Sequence, residues 1–287
     1  MVIVVRTEDL VHSLKRTFGI SFDVAASDDD FPDWRLIAES LVDIVSARQC
    51  RVIGICGSQG SGKSTLAEIC VSALRTAGCN AAACSIDDFY LTKVEREVLA
   101  NTVHPLLRTR GVPGTHDTQW LARVLNGAKQ GHAQPVPMFN KGLDDRRGER
   151  VIDADVLILE GWCVGVQPEP DSRLIAPCNL LEEDEDEDGT WRNWVNEQIA
   201  PGYLPLWSMI DFWLQLKPPS FEQVFEWRTQ QEKQIQQTRR MNDVSVRRFI
   251  EHYERLTRWQ WACSPPAPGL SILLAADHTA ERVDAHE

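Results

Sequence analysis

Short apolar runs alternate with stretches of helical periodicity along most of the chain. Between the runs, apolar positions recur every three or four residues, as they do in Thr65–Leu74. Five runs are apolar enough to form buried strands, and they cover residues 51–56, 80–86, 155–159, 211–216 and 270–274. Strands that alternate with helices in this order pair in parallel. The pattern therefore predicts an α/β fold, with a mostly parallel β-sheet flanked by helices on both faces.

The pattern also divides the chain into segments. Residues 1–50 are predicted to form a helical lead-in to a main domain of residues 51–287. Within the lead-in, a polar break precedes apolar side chains at helical spacing: Trp34, Ile37, Ala38, Leu41, Ile44 and Val45. Residues 91–150 are rich in Arg, His, Gly and Pro, and we assign them to substrate binding. Residues 217–260 are assigned to helical and lid segments.

The segment Gly57–Ser64 has the sequence GSQGSGKS, which fits the phosphate-binding motif G-x-x-x-x-G-K-[ST]. It follows the first predicted strand and opens the first predicted helix, where backbone N–H groups and the helix dipole favour an anion. Lys63 is expected to reach the outer phosphates, and the Ser64 hydroxyl is expected to hold Mg²⁺. The motif therefore predicts a nucleoside triphosphate site, and its binding residues are Gly57, Ser58, Gln59, Gly60, Ser61, Gly62, Lys63, Ser64 and Thr65.

Carboxylates follow two further strands, with Asp87 and Asp88 after the second and Glu160 after the third. Ligands bind outside the carboxyl ends of parallel strands, so we expect these groups to converge on the P-loop. Glu160 is predicted to be the second ligand of Mg²⁺, directly or through water. Asp87 is predicted to be the catalytic base that takes the proton of an acceptor hydroxyl. Asp88 is expected to bind the acceptor or to cap the next helix.

A turn-rich basic loop covers residues 104–117. Its Arg108 and Arg110 are predicted to bind a carboxylate or phosphate of the acceptor through paired hydrogen bonds. His104 or His116 is predicted to bond a hydroxyl group. The alternative for each residue is a salt bridge or hydrogen bond within the loop itself.

Two further groups of basic residues are candidates for the site. Lys141 and Arg146, with Arg147 beside them, form a second cluster with the same candidate role in acceptor binding. Arg228 follows the fourth strand after a helical stretch, and it is predicted to close over the transferring phosphate. Four nearby arginines compete for that role: Arg239, Arg240, Arg247 and Arg248.

The net charge of the chain argues against some classes of binding partner. The net charge is -12 over 287 residues, and the pI is near 5.1. General binding to nucleic acid or to an anionic membrane requires a basic surface, so we expect neither partner. The acidic run at residues 182–188 is predicted to be a solvated surface loop. The sequence leaves the oligomeric state open.

Cysteine spacing and the N-terminal residues bear on the compartment. The eight cysteines are scattered, without a CxxC pair or a Cys/His metal spacing, which favours reduced thiols. Residues 1–8 lack a basic start, a long apolar core and a cleavage site, so we expect no signal peptide. No apolar run approaches the roughly 20 residues that span a bilayer. These features predict a cytoplasmic protein.

Six segments, taken together, resemble the D-glycerate 3-kinase family of P-loop kinases. In chain order they are GSQGSGKST at 57–65, SIDDFYLT at 85–92, HPLLRTRGVPGTHDT at 104–118, LILEGWCVG at 157–165, WRTQQE at 227–232 and FIEHYERLTRW at 249–259. The wider group includes uridine kinase, pantothenate kinase and phosphoribulokinase. In these enzymes an acidic residue follows the second strand, and it is followed by one further residue and then an aromatic residue. The acidic residue is the expected catalytic base. Asp87-Asp88-Phe89 matches this pattern and places the base on Asp87 rather than Asp88.

The resemblance implies a sheet of the P-loop NTPase type and phosphorylation of D-glycerate at its 3-hydroxyl, with ATP and Mg²⁺ as cofactors. It also implies a small anionic hydroxy acid as the partner of the site. Tyr90, in the second matching segment, joins the substrate-binding candidates.

The sequence is also compatible with two other functions. A P-loop kinase with another acceptor is one, and the acceptor would be a nucleoside, pantothenate or a sugar phosphate. The cations Arg108, Arg110, Lys141 and Arg146 keep the sugar phosphate open. The other alternative is a non-catalytic nucleotide-binding protein such as a GTPase switch. The fourth strand runs into residues 216–220, LKPPS, rather than into an Asn-Lys-x-Asp type segment, which disfavours guanine recognition.

Overall fold

The computed structural model describes residues 34–233, 241–263 and 266–287. In chain order the elements of the first half are α1 (Trp34–Arg48), β1 (Val52–Gly57), α2 (Lys63–Thr76), β2 (Ala81–Ser85), α3 (Lys93–Thr102), α4 (Thr118–Gln130), β3 (Gln134–Asn140), β4 (Asp145–Ile152) and β5 (Val156–Gly161). The second half contains α5 (Asp171–Leu174), α6 (Leu180–Glu185), α7 (Thr190–Gly202), α8 (Leu204–Trp207), β6 (Phe212–Lys217), α9 (Phe221–Lys233), α10 (Asp243–Ala262), β7 (Gly269–Leu274) and β8 (Ala280–His286). Short 3₁₀ turns cover Ile86–Phe89 and Pro105–Arg108.

Six of these strands form one sheet in the order β2-β5-β1-β6-β7-β8. All neighbouring pairs are parallel except β7 with β8. This confirms the predicted α/β fold with a mostly parallel sheet, and the five predicted strands are its five parallel members. Because β5 lies between β1 and β2, the chain crosses over after β1 and again after β2, and the three strands end at the same edge.

The two faces of the sheet bury separate hydrophobic clusters. Along β1, Val52 and Cys56 belong to the cluster that contains the buried apolar residues of α4 and α7 and, from α10, Tyr253 and Leu256. Ile53 and Ile55, which point the opposite way, belong to the cluster that contains those of α1 and α2. Alternation with period two is what a strand covered on both faces requires. Helices therefore cover both faces, as the periodicity predicts.

Helix α1 is the described part of the predicted lead-in. Its buried residues Ile37, Leu41 and Ile44 pack in the same cluster as Ile53 of β1 and Leu66 of α2. Helix α1 therefore packs with α2 in the layer on this face of the sheet. The rest of the lead-in lies outside the described residues.

The β3–β4 hairpin and strand β8 were not predicted. Strand β4 has the sequence DRRGERVI, and none of its residues is buried. A strand without a buried face carries no apolar run, so its periodicity is invisible in the sequence. The hairpin forms a separate two-stranded sheet beside the main one. No helix in the described parts of the chain is long and apolar enough to cross a membrane.

The acidic run at residues 182–188 is only partly the solvated loop that its composition predicts: five of its seven residues are exposed, but part of it is helical and two carboxylates point inwards. Glu182 and Asp186 are buried. Arg255 of α10 donates through Nη2 to Glu182 Oε2 at 2.6 Å, and Arg192 donates through Nη1 to Asp186 Oδ2 at 2.9 Å. Asp186 also accepts the backbone N–H of Trp191 at 2.6 Å. Buried carboxylates persist only when they are paired and hydrogen-bonded, and here both conditions are met.

These pairs give a prediction for stability. We expect Arg255→Ala to lower the free energy of unfolding by about 3–5 kcal/mol, because it leaves Glu182 buried without its cation and removes one of the two cations of Glu169. Arg258→Ala is the matched control on the same helix, since Arg258 is 46% exposed and pairs with Glu254 at 2.8 Å. We expect it to cost less than about 1 kcal/mol. Urea unfolding followed by tryptophan fluorescence measures both values, and two equally small losses would contradict the prediction.

Candidate active site

The carboxyl ends of β1, β2 and β5 surround a cavity of about 220 Å³. Four P-loop residues line it, together with Asp87 and Tyr90 from the turn after β2 and side chains from nearby loops, helices and the hairpin. The full set is Gln59, Gly60, Lys63, Ser64, Asp87, Tyr90, Arg110, Lys141, Trp162, Arg228, Gln231, Phe249 and Tyr253. Asp87 is the only carboxylate among these described lining residues, and it faces four cations. The cavity therefore suits a ligand with several negative charges.

The P-loop depends on two glycines in the left-handed region. Gly60 has φ +79° and Gly62 has φ +87°, values that residues with a side chain rarely adopt. A Cβ on Gly60 would lie 2.6 Å from Cβ of Trp227, and one on Gly62 would lie 2.5 Å from the ring of Trp34. Glycine is therefore required at both positions by packing as well as by backbone conformation.

Helix α2 begins at Lys63 without a side-chain cap, because its N-cap residue is Gly62. The first backbone N–H groups of an uncapped helix have no intrahelical acceptor and point outwards at the positive end of the dipole. The hydroxyls of Ser58 and Ser61 are buried and have no hydrogen-bond partner among the described residues. Unpaired donors at a helix N-terminus are the arrangement that binds phosphate.

The candidate metal ligands are in contact. Ser64 donates its hydroxyl to Glu160 Oε1 at 3.1 Å, while Glu160 Oε2 is buried and has no partner among the described residues. A hydroxyl and a carboxylate with an unused oxygen fit Mg²⁺, which takes few protein ligands beside phosphate. No cluster of three or more His, Cys, Asp or Glu that suits a metal occurs in the described residues. Ser64 and Glu160 would therefore hold the ion together with phosphate oxygens and water.

Asp87 is held by a donor on each oxygen. Its backbone N–H bonds the Ser85 hydroxyl, which caps the 3₁₀ turn. Tyr90 donates to Oδ1 at 2.7 Å, and Lys141 donates to Oδ2 at 2.7 Å. Burial raises the pKa of Asp87, but the charges of Lys141 and Lys63 and the two hydrogen bonds outweigh it and lower the pKa to about 2. The carboxylate is thus ionised throughout the physiological range.

Asp88 points away from the cavity. Its Oδ2 accepts from Arg150 Nη2 at 3.1 Å, which fastens the β3–β4 hairpin to the end of β2. Burial raises its pKa, and Arg150 opposes that effect. Ser85 caps the turn instead of either aspartate. The structure therefore does not bring Asp88 to the cavity, and it corrects the expectation that Asp88 is a cap.

The two arginines of the basic loop have different surroundings. Arg110 lines the cavity, pairs with Asp144 at the hairpin turn, and lies with Cζ 5.4 Å from the centroid of the Phe139 ring. Arg108 is 54% exposed and pairs with Glu97 of α3 at 2.9 Å. The 3₁₀ turn ends at Arg108, so the side chains leave the loop in different directions. The structure places Arg110 in the candidate site and corrects the expectation for Arg108.

Three further substrate-binding candidates, His104, Arg146 and His116, lie outside the set of residues that line the cavity. Nδ1 of His104 accepts the backbone N–H of Leu106 at 3.3 Å. Arg146 donates through Nε to the carbonyl of Tyr90 at 2.9 Å. His116 stacks on the Tyr90 ring with centroids 4.8 Å apart. None of the three is a lining residue, so the structure does not bring these acceptor-binding candidates to the cavity.

His116 is buried and neutral. Tyr203 accepts the backbone N–H of Gly114 at 2.9 Å, and its hydroxyl lies 2.7 Å from Nδ1 of His116. Burial lowers the pKa of His116 to about 4, and the negative charge of Asp87 opposes that effect. Because the imidazole is neutral, the positive charge at the cavity comes from its lysines and arginines.

Arg228 of α9 lines the cavity, and its closure over the phosphate stays a prediction. It pairs with the buried Glu232, and its Cζ lies 5.1 Å from the centroid of Phe249. Arg247 instead stacks on Phe225, and Arg248 pairs with Glu185 at 2.6 Å. Arg239 and Arg240 lie outside the described residues.

An aromatic wall was missed by sequence reasoning. Trp162 donates its indole N–H to the carbonyl of Gly111 at 2.9 Å, and Tyr253 donates to the carbonyl of Arg110 at 3.1 Å. The two rings meet edge to face, with centroids 4.9 Å apart. The only sequence signal was their occurrence in segments used for the family resemblance. Together they hold the backbone of the basic loop against the cavity.

A second cleft, of about 460 Å³, adjoins the P-loop and shares Gly60 and Gln231 with the cavity. His278 bonds the carbonyl of Gly60 through Nε2 at 2.7 Å and stacks on Trp227 with centroids 4.2 Å apart. Trp34 donates its indole N–H to the carbonyl of His278 at 3.0 Å. Thr65 also lines the cleft. The loop between β7 and β8 therefore supports the P-loop on the side of this cleft.

Comparisons with known proteins agree with this geometry. Residues 52–169 match the model of the phosphoribulokinase/uridine kinase family. The uncharacterized kinase mug58 of Schizosaccharomyces pombe is 34% identical over 224 residues, which are 70% of this chain and 78% of that protein. The chloroplastic D-glycerate 3-kinase of Arabidopsis thaliana is 30% identical over 219 residues, which are 70% of this chain but 46% of that protein.

A solved structure shares the fold. The D-glycerate 3-kinase of Cryptococcus neoformans var. grubii aligns with a TM-score of 0.72 at 24% identity, over 87% of this chain and 99% of that chain. At this identity the likeness concerns the arrangement of the sheet and its helices.

The contacts of Asp87 give a prediction. We expect Lys141→Met to raise the pKa of Asp87 from about 2 toward the roughly 3.9 of a free aspartate, because it removes the nearest cation and a hydrogen bond. The Asp87 carboxyl ¹³C chemical shift, followed through an acid titration, measures this pKa. Lys93→Met, which removes an exposed lysine of α3, is the control. Identical titrations in the two variants would contradict the contact.

Proposed function

This chain belongs to the phosphoribulokinase/uridine kinase family of P-loop kinases and is a phosphotransferase, and from that premise we propose that it transfers the γ-phosphoryl group of ATP to the 3-hydroxyl of D-glycerate. The observation that carries the proposal is one small cavity that contains the P-loop lysine, a carboxylate base and two further cations beside that base. Phosphoryl transfer requires these parts within reach of one another.

In this proposal the P-loop side of the cavity holds the nucleotide. The amides at the start of α2 and Lys63 bind the phosphates, and Ser64 and Glu160 hold Mg²⁺. Mg²⁺ would neutralise charge on the phosphate oxygens during transfer. Arg228 adds a positive charge from the opposite side. The cleft beside Trp34 and Thr65 offers an apolar surface for the base of the nucleotide.

Asp87 faces the acceptor. Its low pKa keeps it ionised, so that it accepts hydrogen bonds, but makes it a weak base in the empty site. That suits a transfer in which the attacking hydroxyl loses its proton late, after its oxygen has begun to bond phosphorus. Asp87 then orients the hydroxyl first and takes the proton as the oxygen becomes acidic.

The acceptor side favours a small carboxylate over the alternatives. Arg110, held by Asp144, and Lys141 supply positive charge next to Asp87. A cavity of about 220 Å³ leaves little room for a nucleoside beside the phosphates. Arg108 and Arg146 do not line it, which weakens the case for a sugar phosphate. The 30% identity with the Arabidopsis D-glycerate 3-kinase supports the same acceptor.

The experiment that tests this proposal is ATP consumption against a panel of acceptors. We expect D-glycerate to give the highest kcat/KM among D-glycerate, L-glycerate, uridine, pantothenate and ribulose 5-phosphate. Asp87→Asn should lower kcat with D-glycerate by about 10²–10⁴-fold, the usual contribution of a general base, while nucleotide binding persists. A higher kcat/KM for another acceptor would overturn the substrate, and an unchanged kcat in Asp87→Asn would overturn the base.

The two loop arginines form a matched pair for the acceptor anion. We expect Arg110→Ala to raise the KM for D-glycerate by about 10–100-fold, since it removes charged hydrogen bonds to the carboxylate. Arg108→Ala, two residues away and outside the cavity, should leave the KM unchanged. Steady-state kinetics at saturating ATP measures both. An equal rise in both variants would point to a disturbed loop rather than a lost contact.

A further inference from the structure

Both oxygens of Asp87 are already engaged, but their two donors differ. Tyr90 is buried and held between His116 and Phe139, with ring centroids 4.8 Å and 5.1 Å away. Lys141 reaches Oδ2 from the β3–β4 turn, and its side chain is 65% exposed. Tyr90 is therefore a fixed partner of the carboxylate, whereas Lys141 is a replaceable one.

We propose that Lys141 exchanges partners when the acceptor binds: in the empty site its ammonium masks Asp87, and the carboxylate of the acceptor draws the ammonium away. The base then becomes available only when an anionic acceptor is in place. This inference rests on the proposed function, because it takes Asp87 as the base and an anionic alcohol as the acceptor. Lys141 thereby acts as a specificity-determining residue.

The other cation on the acceptor side is not free to do this. Arg110 pairs with Asp144, and Asp144 is in turn fixed by Arg96, which is 1% exposed and donates through Nη2 to Asp144 Oδ2 at 3.0 Å. The Arg110 guanidinium also lies over Phe139. Arg110 is thus a rigid anchor that receives the acceptor carboxylate within reach of Lys141.

The exchange is cheap for Lys141. The Lys141 side chain is 65% exposed, so water can solvate its ammonium as it leaves Asp87, and a second carboxylate backed by Arg110 can compete for it. A lysine is a compact charge on a flexible stem and can turn from one oxygen to another without loss of geometry. Lys141 is also the strongest of the groups that lower the pKa of Asp87, so its departure makes the base stronger when the hydroxyl is present.

The bond between Lys141 and Asp87 also affects the hydrolysis of ATP by water. Without an acceptor, a water molecule beside the γ-phosphate would find Asp87 bonded to Lys141 and Tyr90. In hydrolysis, the water oxygen bonds phosphorus, the bond to ADP breaks and Asp87 takes a proton from the water. With Oδ2 occupied by an ammonium that last step is hindered. The same lysine that selects an anionic acceptor therefore suppresses wasteful hydrolysis.

A double-mutant cycle on acceptor binding tests the exchange. We would measure D-glycerate binding by calorimetry, with Mg²⁺ and AMP-PCP, in wild type, Asp87→Asn, Lys141→Met and the double variant. If Asp87 and the acceptor compete for Lys141, Asp87→Asn tightens binding by about 2–5-fold more in the wild-type background than in the Lys141→Met background. Loss of negative charge alone would act equally in both backgrounds, so additive effects would overturn the exchange.

Hydrolysis without an acceptor is the second readout. We expect Lys141→Met to raise acceptor-independent ATP hydrolysis about 3-fold or more above wild type while D-glycerate phosphorylation falls. Lys93→Met should change neither rate. A lysine that only binds the acceptor would lower phosphorylation without raising hydrolysis, and that result would overturn the masking.

The two proposals fail in different ways. A wild-type enzyme without D-glycerate-dependent turnover would overturn the substrate, and the hydrolysis measurement, which needs no acceptor, would still decide whether Lys141 masks Asp87. A wild-type enzyme that phosphorylates D-glycerate, with an additive cycle and unchanged hydrolysis in Lys141→Met, would overturn the exchange alone.

Discussion

The parallel hydrogen bonding of β5 between β1 and β2 is the constraint on which the site depends. Glu160 of β5 lies opposite Ile55 of β1 and opposite Ser85 of β2. The P-loop leaves the end of β1, and the turn that carries Asp87 leaves the end of β2. A slip of one residue in this register would turn the Glu160 side chain to the other face of the sheet. Its contact with Ser64 would then be lost.

Charge is organised in opposite ways inside and outside the site. The chain as a whole is acidic, with a net charge of -12, yet the cavity has four cations around one carboxylate. Several of the acidic groups elsewhere are paired, and Glu182 and Asp186 are buried against arginines. In the cavity, Asp144, Asp87 and Glu232 hold three of the four cations in place: Arg110, Lys141 and Arg228. Buried charge thus stabilises the scaffold in one place and selects a ligand in another.

Packing behind the P-loop adds a second requirement. The loop is confined between Trp227, Trp34 and His278, which leaves no room for a side chain on Gly60 or Gly62. These aromatic groups come from α9, α1 and the β7–β8 loop. The phosphate site is therefore formed only when distant parts of the chain have packed together. Helix α1, predicted as a lead-in, is one of these parts.

Local pattern alone determined the parallel sheet, the P-loop and the convergence of Lys63, Ser64, Asp87 and Glu160. Each of these rests on contiguous residues and on the rule that parallel strands end at one edge. The tertiary structure decided which charged side chains meet. Arg108 and Arg110 share one loop, yet Arg108 pairs with Glu97 and only Arg110 enters the cavity.

The same holds for the acidic run and for the exposed hairpin. Glu182 is buried because Arg255 lies beside it, 73 positions later in the chain, and composition cannot show that partner. Strand β4 has no buried face, so the turn that brings Lys141 to Asp87 left no hydrophobic pattern. A buried face requires apolar residues at regular spacing, and this spacing is visible in the sequence. The partner of a charged side chain, in contrast, depends on groups that only folding brings near. Sequence therefore determined the fold and the P-loop, and tertiary structure decided which charged residues line the cavity beside it.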